Sequence, residues 1–328
     1  LSLAASLCAA MNYPQPSSLD PTLLDCLRAY LDNKPLKLRT KAQYENVIRR
    51  CVPDWLYKPM SSITRKDIQD RHKQLTAHGP YQANFCARVL RALFLFAENF
   101  YTDQTGEPII KSNPMRVMAA MALWNKETRR QRRIKPDEMP RYFAALLTMP
   151  NKNAADYLLF LTLTGMRKNE ATQLTWQNID LNKGLATVPD TKSKRPHVMP
   201  LPDVLWSLLR SRYMQRNCPP PSEPVFTAIN GVDPISRYDK SYEYICNVTG
   251  LSFSPHDLRR GFTSTAVEAG VHLYSIKRLL NHAIDCDGWT GGYFVSDVEN
   301  LRSAVQSVCD AILSQAGIDK RELIKKLK

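Results

Sequence analysis

The stretch N-K-E-T-R-R-Q-R-R-I-K-P, from Asn125 to Pro136, is the feature that most limits what this chain can fold into. Arg129, Arg130, Arg132, Arg133 and Lys135 crowd into it, and it reads as offering no core residue. A hydrophobic core cannot run unbroken through such a segment. The chain therefore reads as two domains joined by a linker over 125–135, a division that suits 328 residues. A charged run between domains is either a solvated tether or a strap lying along a polyanion, and a domain on each side favours the strap. The five basic residues are accordingly candidate nucleic-acid contacts.

The segment before the linker is helical in pattern. After a loose, Pro- and Ser-containing start over 1–18, Asp20 is placed to cap a helix with Leu23, Leu24, Leu27, Tyr30 and Leu31 on one face. Further helices are expected from Thr40 to about Val52, from Thr64 through Ile68 and Leu75, and from about Tyr81 to Phe100. In the last, Phe85, Val89, Leu93, Phe96 and Phe100 have the spacing of a buried stripe. Residues 19–124 thus read as a small helical domain.

A second domain is expected over 136–315. Pro136 and the acidic residues after it suit a helix start, with Tyr142, Phe143, Leu146 and Leu147 as its core face. Asn153 to Thr164 is another apolar helix. Ile179 to Leu181, Leu185 to Pro189 and Val198 to Leu201 are then strand-like pieces separated by N-K-G and T-K-S-K-R turns, which fits a small antiparallel sheet. The remainder is mainly helical, with a Pro-rich break at 219–224 and a helix from about Ser296 to Leu313. Residues 316–328 read as a basic tail, either frayed or docked on a neighbouring protomer. The fold class is mainly α with a small antiparallel β-sheet.

Lys plus Arg number 45 against 31 Asp plus Glu, a formal charge of +14 that points to a polyanionic partner. Nucleic acid suits this better than an anionic membrane, because no apolar run approaches the roughly 18–20 residues needed to span a bilayer and the basic residues form no single amphipathic stripe. The eight cysteines lie far apart with neither a C-x-x-C pair nor histidines at metal spacing, so they read as reduced thiols of a cytoplasmic protein, and no metal site is expected. Leu1 to Ala10 is apolar but lacks a basic n-region, which argues against a signal peptide, and the missing initiator Met implies a chain that begins inside a longer one.

Four motifs carry candidate chemistry. In T-G-M-R-K-N-E, Gly165 permits close approach of the backbone, and Glu170 would share a helix face with Arg167 and hold its guanidinium, although such pairs are usually solvated salt bridges. In S-P-H-D-L-R-R, His256 and Arg259 fall one helical turn apart, where imidazole and guanidinium can converge on one oxyanion. In L-L-N-H, His282 closes an apolar helix, most simply as a cap on its C-terminal dipole. Eleven residues later comes Tyr293, preceded by Gly291 and Gly292. Lys192, Lys194 and Arg195 lie at the tip of the hairpin, solvated or placed to enter a DNA groove.

Arg, Lys, His-x-x-Arg, His and Tyr in this order and at these intervals resemble the tyrosine recombinase, or phage integrase, family. The resemblance covers about Pro136 to Arg302, through T-G-M-R-K-N-E, S-P-H-D-L-R-R-G-F-T-S-T-A-V-E-A-G-V, L-L-N-H and Y-F-V-S-D-V-E-N-L-R. The first half, with K-P-M-S-S-I-T-R-K-D-I and R-V-L-R-A-L-F-L-F-A-E-N, is similar to the family's core-binding domain. The interval from His282 to Tyr293 is a couple of residues longer than is usual in the family, with Asp285 to Gly288 as the insertion.

The resemblance implies a helical core-binding domain, a mixed α/β catalytic domain, and a catalytic set of Tyr293, Arg167, Lys192, His256, Arg259 and His282 with Glu170 in support. Lys194 competes with Lys192, but the T-K turn and the distance from Arg167 favour Lys192. Arg129, Arg130, Arg132, Arg133, Lys135, Lys194, Arg195 and Arg260 are expected DNA contacts. The implied activity is site-specific cutting and rejoining of double-stranded DNA for a mobile element, by a tetramer in the synapse, with accessory bending or directionality factors, near the nucleoid. One phosphodiester replaces another of similar energy, so no cofactor is called for, and the sequence has no G-x-x-x-x-G-K-[ST] phosphate loop. Relaxation of supercoils in the manner of a type IB topoisomerase, and a catalytically silent DNA-binding protein on the same scaffold, are the alternatives.

Overall fold

A computed structural model describes residues 20–128, 131–189, 196–235, 239–282 and 298–327. The chain divides into two compact units, Leu1–Arg130 and Gln131–Lys328.

The first unit is built on helices α1 (Leu23–Asn33), α2 (Leu38–Cys51), α3 (Arg65–His78) and α4 (Pro80–Phe100), followed by the single turn α5 (Val117–Ala120). Helix α1 is capped by Thr22 and not by Asp20. Thr22 Oγ1 accepts from the Asp25 amide at 3.2 Å while Asp25 accepts from the Thr22 amide, a reciprocal capping box. Asp20 instead accepts from Ser61. Thr64 and Asp67 repeat the box at α3. The buried face of α4 is wider than the large-residue stripe and turned from it. Ala83, Cys86, Ala87, Val89, Leu90, Leu93, Phe94 and Ala97 are buried, whereas Phe100 is 39% exposed, because the small residues admit neighbouring helices on several sides.

The second unit contains α6 (Met139–Leu147), α7 (Lys152–Thr164), α8 (Lys168–Thr172), the strands β1 (Ile179–Asp180), β2 (Leu185–Val188) and β3 (His197–Pro200), then α9 (Asp203–Gln215), α10 (Asp239–Thr249), α11 (Pro255–Glu268), α12 (Leu273–Leu279), α13 (Val298–Gln315) and α14 (Lys320–Leu327). Helix α7 is buried on every side and is the axis of the core. The sheet is antiparallel in the order β1-β2-β3, with Ile179 opposite Ala186 and His197 opposite Val188. Asp180 accepts from the Asn182 and Lys183 amides to form the first turn. The second turn, with Lys192, Lys194 and Arg195, lies outside the described residues.

Two expectations are corrected here. The basic run does contribute to a core: Ile134 is 2% exposed and packs with the second unit. Residues beyond 316 are no unattached tail, because α14 buries Leu323 and its Lys320 pairs with Asp203 at the start of α9. The apolar side of Leu323, Ile324 and Leu327 accounts for this. Among the described residues no helix is long and apolar enough to cross a membrane, and Cys26, Cys51, Cys86, Cys218, Cys246 and Cys309 are free thiols.

Candidate active site

The site forms where α7, α11 and α12 end or begin beside one another. Helix α7 stops at Gly165 in the left-handed region, φ +61°. A Cβ there would lie 2.7 Å from Phe262 and 3.1 Å from Leu280, so both the backbone angle and the space require glycine. Arg167 follows as the extended N-cap of α8, and the phenol of Tyr157 donates to the Lys168 carbonyl at 3.0 Å, fixing the helix start. Arg167 Nη1 donates to Glu170 Oε1 at 2.8 Å. The pair meets across the cap and not along a helix face as the spacing suggested.

Helix α11 starts with Ser254, whose amide donates to Asp257 at 2.9 Å. His256 lies in its first turn, facing solvent, while Arg259 one turn later is only 6% exposed. Burial sets the orientation of Arg259: its Nη1 donates to the Gly165 carbonyl at 2.9 Å and its Nη2 to the Leu280 carbonyl at 2.6 Å.

The L-L-N-H motif supplies the other side. Leu280 caps α12, Asn281 takes the left-handed position with φ +48°, and the His282 amide returns to the Lys277 carbonyl at 2.9 Å while the Asn281 amide returns to Arg278. This is a Schellman closure with Asn in the usual glycine place. His282 is therefore three residues past the helix and not its terminal residue. The closure turns consecutive carbonyls inward, Leu280 to Arg259 and Asn281 to Arg167, the latter at 3.4 Å. His282 Nε2 lies 3.0 Å from Arg259 Nη2.

Two guanidinium groups in one small volume perturb everything near them. Burial first, and then repulsion from Arg167, brings Arg259 down to about 10. His282 is held below its ordinary value by burial, then by Arg259, Arg167 and Lys277. His256, though exposed, is lowered by partial desolvation and then by Arg260, Arg259 and Arg167, against the opposing pull of Asp257. Both imidazoles are thus disposed to be neutral near pH 7, able to accept a proton or donate one hydrogen bond.

Arg167, Glu170, His256, Arg259 and His282 are brought together. Tyr293, Lys192, Lys194, Arg195, Arg129 and Arg130 lie outside the described residues. Of the basic residues expected on DNA, Arg133 is engaged with Glu268 at 2.8 Å, Arg132 lies 3.7 Å from Glu138, the Lys135 amide donates to Glu138, and Arg260 pairs with Asp257 at 2.8 Å. Sequence reasoning missed His197, which is buried on β3 and within the electrostatic reach of Glu170, Arg259 and Arg167. The only sequence sign is a polar residue at the start of a strand-like piece.

Residues 132–285 match the phage integrase family. The tyrosine recombinase XerA of Thermococcus kodakarensis is 28% identical over 186 residues, 52% of this chain and 65% of that protein, so the alignment spans somewhat under two thirds of the relative's length. A lambda integrase dimer bound to a COC′ core site superposes with a TM-score of 0.62 at 22% identity, covering 82% of this chain and 98% of that one. A lambda integrase tetramer bound to a Holliday junction gives 0.62 at 20% identity, covering 88% and 87%. These two likenesses concern the fold. The family match runs through both arginine motifs and the second histidine, so over residues 132–285 the chain is similar to the tyrosine recombinase, or phage integrase, family.

Proposed function

We propose that the chain is a site-specific DNA recombinase that cleaves and rejoins DNA through a 3′-phosphotyrosyl intermediate, in the integration or excision of a mobile genetic element. The observation that most supports this is the holding of Arg167 and Arg259, from separate motifs, by the consecutive carbonyls of Asn281 and Leu280. A guanidinium has five N–H donors, so both retain donors for the non-bridging oxygens of one phosphate.

In this reading Tyr293 attacks the scissile phosphorus. A free phenol titrates near 10, so its anion is disfavoured by about 4 kcal/mol at pH 7. His256, kept neutral, accepts the phenolic proton, and the two guanidiniums stabilise the charge of the pentacoordinate transition state. Lys192 protonates the departing 5′ oxygen. His282 donates a hydrogen bond to the phosphate, and Glu170 fixes Arg167. Arg129, Arg130, Arg132, Arg133, Lys135, Lys194, Arg195 and Arg260 contact DNA, the paired ones exchanging protein carboxylates for phosphates.

The substrate is a specific duplex site. The likeness to a lambda integrase tetramer on a Holliday junction supports a tetrameric synapse, with accessory bending or directionality factors and a cytoplasmic, nucleoid-associated setting. The test is a pool of nicked duplexes of randomised core sequence. Wild-type protein traps an SDS-resistant adduct and Tyr293→Phe does not. Binding without any adduct would remove the enzyme reading, and an adduct with Tyr293→Phe would remove Tyr293 as nucleophile.

A further inference from the structure

Two buried side chains beside the guanidinium pair have unmet hydrogen-bonding capacity. His197, the first residue of β3, is 6% exposed, and neither ring nitrogen makes a hydrogen bond of good geometry to a described residue, although the Arg278 backbone is close enough to act on the ring. Glu170 is 8% exposed; its Oε1 holds Arg167, and its Oε2 is buried with no partner. Buried polar atoms without partners carry the full penalty of lost hydration, and native folds contain few of them. The two are complementary, an imidazole N–H donor and a carboxylate acceptor.

The surroundings fix the form in which His197 acts. Burial brings the ring down to about 4, with Arg259 and Arg167 adding to the effect, while the Glu170 charge and the backbone at Arg278 oppose it. A neutral ring donates one hydrogen bond without adding a third cation. A lysine or arginine in its place would compete with Arg167 for the Glu170 carboxylate.

We infer that His197 is a positioning residue for Arg167: when a phosphate occupies the pocket, a His197 ring N–H donates to the free Oε2 of Glu170, so that the carboxylate is gripped from both sides and presents the guanidinium in one orientation. The role rests on the phosphate-binding reading of the pocket given above. No bond is made or broken by His197, and it touches neither the nucleophile nor the reacting phosphorus.

The full chain, labelled with ¹⁵N in histidine and arginine and titrated with inorganic phosphate at pH 7, tests this. In the wild type, phosphate moves the Arg167 and Arg259 side-chain N–H signals, and the His197 ring shows one N–H that exchanges slowly with water. His197→Leu weakens phosphate binding about fivefold or more and broadens the Arg167 signal, whereas His197→Gln, which keeps an N–H donor, stays within about twofold of wild type. In a Glu170→Gln background His197→Leu adds no further loss, as expected for residues acting in series. Unchanged binding in His197→Leu, additive losses, or a wild-type ring N–H exchanging as freely as imidazole in water each overturns the inference while leaving the recombinase reading intact. Failure of phosphate to perturb either arginine in the wild type overturns both. The wild-type ring signal is decisive even where His197→Leu does not fold.

Discussion

Arg259 Nη2 lies 3.0 Å from His282 Nε2. A guanidinium only donates, so Nε2 is the acceptor and the ring proton resides on Nδ1. Together with the lowering of His282 by burial and then by Arg259, this makes a definite expectation for the free protein. Proton–nitrogen correlation spectra will show the Nδ1–H tautomer at pH 7 and a midpoint below about 6.5. A midpoint above that value would mean that the contact is absent.

Gly165→Ala will destabilise the second unit by about 2–4 kcal/mol, from a left-handed backbone angle combined with overpacking against Phe262. Denaturant unfolding of the variant measures it. A midpoint equal to that of wild type would show that α7 does not end as described.

Stability will fall as acid is added, and His197 will account for a measurable part. Its folded value of about 4 lies below the ordinary value of about 6.5, so the unfolded chain binds the proton more readily. The contribution is complete above about pH 6.5, is lost progressively below it, and amounts to a deficit on the order of 3 kcal/mol by pH 4. The difference in unfolding free energy between pH 7 and pH 4.5 should shrink in His197→Gln, with carboxylates and the other histidines cancelling in the comparison. An equal difference in both proteins would count against a buried neutral ring.

Leu323→Ala should cost the second unit about 2–4 kcal/mol, as for other fully buried leucines. Lys320→Ala should cost under about 1 kcal/mol, since its pairs with Asp203 and Asp310 are solvent-exposed. Thermal or denaturant midpoints of the two variants, compared directly, check the ranking; reversal would mean that charge and not burial attaches α14.

Much of this was legible because apolar periodicity and turn chemistry are local. Asn182 to Gly184 announced a turn, and the three strands fall within a residue of where alternation placed them. Thr22 against Asp20 shows the limit: both can cap, and only the pairing of Asp20 with Ser61, 41 residues away, decides between them. Side-chain types named Arg167, its partner Glu170 and Arg259, but the anchors that tie both arginines into the fold are main chain. The carbonyls of Gly165, Leu280 and Asn281 have no signature in residue identity beyond a glycine and an asparagine able to adopt positive φ. His197 was invisible for a related reason, since its importance comes from what strand pairing sets beside it.

Because Arg259 ties the end of α7 to the end of α12 through two carbonyls, it is a strut as well as a charge. A lysine at this position would keep the positive charge yet could not span both anchors from one nitrogen. Loss of turnover in any variant of Arg259 will therefore mix electrostatics with slackened architecture, and kinetic comparisons at this residue need a companion measurement of local rigidity before they speak to chemistry.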